Sequence, residues 1–166
     1  MSGKREMSNL LRGQLKGGIL GLSIVGIGVI CFFSVTDTLG ILIGIAGVVF
    51  LAMCLKINIK SRMVLAKFDE KERLYEMLES GNRTTYDKMS VILLDEYVID
   101  YRTGLNIIKR SDIVNVSKYK DSATVAHGVW VILKLKNGEN HRLLSMGLSA
   151  EPDDATRFIQ ELGAKR

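Results

Sequence analysis

From Gly17 to Leu55 the chain carries one charged residue, Asp37, in 39 positions. Asp37 divides two apolar runs of about twenty residues each, the length that crosses about 30 Å of hydrocarbon as helix. Such a stretch excludes a purely soluble chain and predicts a transmembrane α-helical hairpin over residues 17–55, turning near Thr36 and Asp37. The first run is longer than the core of a cleavable signal, and a second run follows almost at once, so it reads as a span. The roughly 110 residues beyond Leu55 suffice for one small α+β domain with its own core.

Charge orients this arrangement. The chain holds 23 Lys and Arg against 18 Asp and Glu. Residues 1–16, a basic tail, contain Lys4, Arg5, Arg12 and Lys16 against Glu6, and residues 56–67 contain Lys56, Lys60, Arg62 and Lys67 with no acid. These flanks contribute +7, and 15 positive against 16 negative residues remain from Phe68 onward. The basic balance is therefore juxtamembrane, which removes the main support for a nucleic-acid partner. The positive-inside rule places both termini in the cytoplasm, giving a two-span protein of the cell membrane with the eight basic residues at the lipid surface.

Within the apolar stretch the glycines carry the information. Gly40, Gly44 and Gly47 recur at i, i+4, i+7, and antiparallel pairing sets Gly26 and Gly28 opposite them. That pattern predicts close packing of the two helices. Its other use is self-association through Gly17-x-x-x-Gly21 or Gly40-x-x-x-Gly44, with a second copy of the chain as partner. No Lys, Arg, Glu or His interrupts either run, so a proton or ion pathway has no residues to use. Cys31 and Cys54 fall near opposite leaflets, too far apart for a disulfide.

Residues 56–82 read as a basic juxtamembrane segment and a connector helix from about Ser61 to Ser80. Val64, Phe68, Leu74, Tyr75 and Leu78 share one side, Asp69 and Arg73 form an i, i+4 pair, and Gly81-Asn82 stops it. Its first turns extend the second span or lie on the membrane, or the segment is a solvated connector that docks its apolar side on the domain. From Ser90 the period changes to two: S-V-I-L-L, Y-V-I-D-Y, L-N-I-I-K, D-I-V-N-V-S-K-Y, V-W-V-I-L-K-L-K and H-R-L-L-S read as six strands. Asp95-Glu96, Thr103-Gly104 and Asn137-Gly138 are the tight reversals. A polar loop fills 121–128. In the fifth strand Val129, Val131, Leu133 and Leu135 share one face, and Trp130, Ile132, Lys134 and Lys136 the other. The expected architecture is an antiparallel, strongly bent sheet or partial barrel. A terminal helix opened by Pro152, Asp153 and Asp154 caps it with Ala155, Phe158, Ile159 and Leu162, and Gly163 ends that helix.

This succession of short strands, the late strand V-W-V-I-L-K-L-K-N-G and a closing helix ending F-I-x-x-L resembles the pleckstrin-homology (PH) superfold over residues 84–163. Placing that unit, residues 84–166, behind a two-span hairpin is similar to small bacterial membrane proteins with PH-like cytoplasmic domains. The resemblance implies a fold but no phosphoinositide site, since the first hairpin, L-L-D-E-Y, is acidic where lysines would be wanted.

Catalytic signals are sparse. His127 and His141 lack Cys, Asp or Glu neighbours at metal-ligand spacing, and no nucleotide-binding, nucleophile-elbow or zinc-protease motif occurs. Neither metal nor cofactor is expected, and the chain reads as a non-enzymatic, membrane-tethered interaction or scaffold module with the bilayer and an unidentified protein as partners. The alternative is a regulatory subunit of a larger membrane complex, assembled through the glycine-lined hairpin.

Overall fold

The computed structural model describes residues 2–34, 37–120, 128–146 and 154–164. It divides into two compact units, residues 1–69 and 70–166.

The first unit is two long helices, α1 (Ser2–Ser34) and α2 (Asp37–Lys67). They run antiparallel, for the Asn58 side chain donates to the Leu11 carbonyl at 3.0 Å while Gly28 lies against Gly40 and Gly44. Glycine costs about 1 kcal/mol per position in a water-exposed helix. A glycine-rich helix pair is therefore favoured where backbones must approach or where lipid forces every amide to bond internally. Apolar side chains point outward: Ile19, Leu22, Ile30, Leu42, Val48 and Met53 are all more than half exposed. Among the described residues one segment, Gly40–Lys67 in α2, is long and apolar enough to cross a membrane. Residues 2–16 are helical and continuous with the apolar part of α1, so the expected tail is a helix. The reason is contact with the other helix: Met7 and Leu11 are buried, and Asn58 of α2 donates to the Leu11 carbonyl.

The second unit begins with α3 (Lys71–Glu79). The single connector helix of the sequence reading is broken, because α2 runs on to Lys67 and helical geometry resumes only after Glu70, whose φ of −96° and ψ of 37° lie outside it. The expected Asp69–Arg73 pair does not form, since Asp69 precedes α3 and Arg73 bonds Glu96 instead.

Among the described residues seven strands follow, in two antiparallel sheets of order β1-β2-β3-β4 and β5-β6-β7. They are β1 (Thr84–Tyr86), β2 (Val91–Leu93), β3 (Tyr97–Asp100), β4 (Asn106–Lys109), β5 (Ile113–Lys120), β6 (Gly128–Leu135) and β7 (Asn140–Met146). The one bent sheet expected from sequence is thus two, separated where the chain makes a 3-10 turn over Arg110–Asp112. β1 is the strand that sequence missed, three residues long with only Tyr86 buried. Its presence makes Tyr86–Val91 the first hairpin and L-L-D-E-Y the second, so the acidic reversal stands one hairpin later than expected. The Thr103-Gly104 reversal is a longer connection over 101–105 that buries Leu105, whereas Asn137-Gly138 closes β6 onto β7 with Gly138 at φ +85°.

The helix α4 (Asp154–Ala164) begins at the last of the three residues expected to open it, and passes Gly163 by one residue. Pro152 and Asp153 lie outside the described residues, as do Thr36, 121–127 and His127.

Both faces of the first sheet are covered, and every residue of β2 and β3 is buried. On the inner face Val91, Leu93, Val98 and Ile108 join Val131, Leu133 and Leu143 of the second sheet and Phe158 and Leu162 of α4. The Phe158 ring meets Tyr86 edge-on, with centroids 5.3 Å apart. On the other face Ile92, Tyr97 and Ile99 are buried as well, as are Leu74 and Leu78 of α3, whose first residues Glu70 ties to Tyr97 and Lys109 of this sheet. Sheet alternation dictates this division, since residues of opposite parity on β2 and β3 both need cover.

Candidate functional site

The antiparallel pairing of α1 and α2 gathers Lys4, Arg5, Arg12, Lys16, Lys56, Lys60, Arg62 and Lys67 at one end of the hairpin, and all eight are exposed. Lys16 and Lys56 stand nearest the apolar stretch. Arg5 and Lys67 stand about 17 Å further along their helices, at 1.5 Å per residue. Asn58 fixes this end: its amide holds Leu11, its carbonyl oxygen accepts from Arg62 Nε at 3.0 Å, and it is itself buried.

The five glycines divide. Gly28 is the point of closest approach, where a Cβ would lie 2.6 Å from the Gly44 nitrogen and 3.0 Å from the Gly40 carbonyl oxygen. Gly40 and Gly47 are buried. Gly26 is exposed, and a Cβ there or at Gly44 would meet nothing within 4 Å, so Gly26 does not belong to the packing face and Gly44 contributes through its backbone. Gly28, Gly40 and Gly44, with Val29, Ile41 and Val48, line an open apolar groove of about 420 Å³. Cys54 is a free, half-buried thiol.

In the second unit the structure joins residues that the sequence left apart. Asp100 and Asn106 are cross-strand partners on the inner face of the first sheet, and His141 faces them from the second. The buried Asp100 carboxylate accepts from the Arg102 backbone N–H at 3.1 Å and lies 2.9 Å from His141 Nε2. Arg102 also donates to the Leu144 carbonyl. A cavity of about 140 Å³ opens beside the pair, lined by Asp100, Arg102, Thr103, Trp130, Arg142 and Leu144. Among the described residues no group of three His, Cys, Asp or Glu is placed to hold a metal ion. With its oxygens already engaged, Asp100 serves as a clasp between sheets. The available sequence signal was parity: Val98 faces inward, so Asp100 does too, and His141 shares the parity of Leu143.

Glu70 is the other hub. It accepts from Lys109 Nζ at 2.7 Å and from the Tyr97 hydroxyl, tying the start of α3 across β3 and β4. Those two hydrogen bonds, the lysine's first, hold its carboxyl below the usual range. Burial and then the Glu70 carboxylate push the Tyr97 hydroxyl up to about 12.

Comparison with protein-family models, curated proteins and solved structures finds no match to this chain.

Proposed function

We propose that the chain is a non-enzymatic interaction module tethered to the cell membrane by two spans, with both termini and a PH-like domain on the cytoplasmic side. The observation that carries this reading is the inverted surface of the helical hairpin, apolar side chains outward along α1 and α2 with eight exposed cations at one end. Apolar faces of that extent need a non-aqueous neighbour, and cations beside a span favour the cytoplasm. With the hairpin upright, Lys16, Lys56, Arg12 and Lys60 meet the headgroup layer. Lys4, Arg5 and Lys67 then stand beyond a layer of about 5–8 Å and serve topology rather than lipid contact. The PH-like reading is supported by the four-stranded and three-stranded sheets and by a closing helix whose Phe158 and Leu162 enter the core.

The test is topological. In a chain freed of Cys31 and Cys54, a cysteine replacing Asp37 reacts with an impermeant thiol reagent added outside intact cells, and one replacing Glu139 reacts only after lysis. Labelling at position 139 from outside overturns the reading.

The open groove beside Gly28 and Gly44 favours a second reading, a regulatory subunit docked in a larger membrane complex through the hairpin. Substituting Leu for Gly44 directs a side chain into that groove, where the added Cβ has nothing within 4 Å. Loss of a larger assembly in mild detergent with the domain still folded supports this reading, and an unchanged assembly removes it.

A further inference from the structure

The near-neutral charge of the chain beyond Phe68 conceals a segregation. None of the strands β5, β6 and β7 contains an aspartate or a glutamate, whereas they carry Lys118, Lys120, Lys134 and Arg142. Register fixes which of their residues share the outer face. Tyr119, Trp130 and Leu144 form one cross-strand row, Ser117, Ile132 and Arg142 the next, and Lys134 stands in the third. The opposite parity, Val131, Leu133 and Leu143, is in the core, so these rows face away from it. Tyr119 is 58% exposed, and Arg142 and Lys134, in the second and third rows, are exposed too. Trp130, Ile132 and Leu144 keep partial exposure.

We infer that this outer face docks on an anionic lipid surface. Three features on the face select that occupant. Tyrosine and tryptophan, apolar rings with a polar edge, are the side chains that settle at the headgroup boundary. The aliphatic Ile132 and Leu144 lie among them, where a nucleic-acid platform would want further rings and more phosphate contacts. The flanking charge carried by the three strands is basic, and the Asp100 carboxylate that borders Trp130 and Arg142 is buried and already engaged by Arg102 and His141, which leaves the face complementary to acidic headgroups. Two cations alone bind such a surface weakly. The inference rests on the proposed membrane attachment, which makes docking an intramolecular event and so needs little intrinsic affinity.

Trp130 is the only tryptophan in the chain and sits on the central strand of the face, so it reports its own docking. The full chain is reconstituted into phosphatidylcholine vesicles with or without phosphatidylglycerol, with brominated acyl chains as quencher. Docking gives a blue shift and loss of Trp130 emission in the anionic vesicles only, reversed by salt. The double variant Lys134→Glu, Arg142→Glu loses the quenching while its emission in neutral vesicles matches the parent's, and Lys134→Gln, Arg142→Gln is intermediate. Emission unaffected by bromine in anionic vesicles overturns the inference, as does quenching that ignores lipid charge and both variants. Quenching of Trp130 by a polyuridylate strand but not by anionic vesicles also overturns it, in favour of nucleic acid. An alkaline wash separates the two failures: a chain washed off the vesicles refutes the membrane attachment itself, whereas a retained chain with unquenched Trp130 refutes the docking alone.

Discussion

The Asp100 carboxylate at the end of β3 meets His141 Nε2 at the start of β7 at 2.9 Å, joining the two sheets through a side-chain contact beside the apolar core. Asp100 is only 4% exposed, and its other oxygen takes the Arg102 amide, so it is the hub and His141 one of its spokes. Asp100→Ala leaves those donors without an acceptor, at a cost of about 1–3 kcal/mol for each buried group so stranded. We expect Asp100→Ala to lower the domain's unfolding midpoint more than His141→Ala. The double variant should be no worse than Asp100→Ala alone, because the two side chains share one interaction. Trp130 fluorescence of the full chain in detergent reads the transition. Equal, additive losses would show that the two side chains act independently.

Gly28 and Gly44 are not equivalent, although both lie at the helix contact. A methyl group on Gly28 falls 2.6 Å from the Gly44 nitrogen, against backbone that cannot yield without separating the helices. One on Gly44 enters open space. Gly28→Ala should therefore lower the thermal stability of the helical unit in detergent, followed by far-ultraviolet circular dichroism, and Gly44→Ala should leave it nearly unchanged. The reverse order would place the contact on the other face of α2.

Sequence reading reached the parts of this fold that a repeating pattern writes. The apolar stretch, the alternation in Val129, Val131 and Leu133, and the 3.6-residue spacing of Ala155, Phe158 and Leu162 each appear as structure, because burial on one face imposes a period. What it missed has no period. β1 is too short to alternate more than once, and the break after Lys67 is set by Glu70 finding Tyr97 and Lys109, partners far along the chain. The split into two sheets turns on the three-residue 3-10 turn Arg110–Asp112. Asp100 and His141, 41 residues apart, meet only because two sheets stack, which no local spacing encodes.

Tyr86 offers a test of packing without polarity. Its ring is buried against Phe158, and its hydroxyl lies near the Glu161 carboxylate, which accepts from Thr84, without reaching full hydrogen-bond geometry itself. A buried hydroxyl so poorly paired carries a desolvation cost that its contact with Glu161 does not offset, so removing it while keeping the ring is neutral or stabilising. Tyr86→Phe should hold or raise the unfolding midpoint, whereas Tyr86→Ala, which empties the space beside Phe158, should cost about 3–5 kcal/mol. A clear loss of stability in Tyr86→Phe would mean that the hydroxyl is bonded.

The Glu70 hub gives the domain a pH dependence of defined sign at both ends. Its bonds to Lys109 and Tyr97 lower the carboxyl below the ordinary value of 4.5, so the unfolded chain takes up a proton before the folded one does. The stability this group contributes is complete above that ordinary value and is lost as pH falls through the lower folded value. Tyr97 works oppositely. Burial and the adjacent carboxylate raise its hydroxyl from 10.0 to about 12, so its contribution is complete below 10.0 and disappears as pH climbs toward about 12. Glu70→Gln should flatten the acid limb of a stability profile taken on the full chain and weaken the alkaline one, since the carboxylate also supports the tyrosine's neutral form. Tyr97→Phe should remove part of the alkaline limb while Lys109 keeps most of the acid one, because the lysine's bond is the larger cause of the Glu70 shift. An acid limb unchanged in Glu70→Gln would show that α3 is held to the sheet by the burial of Leu74 and Leu78 alone.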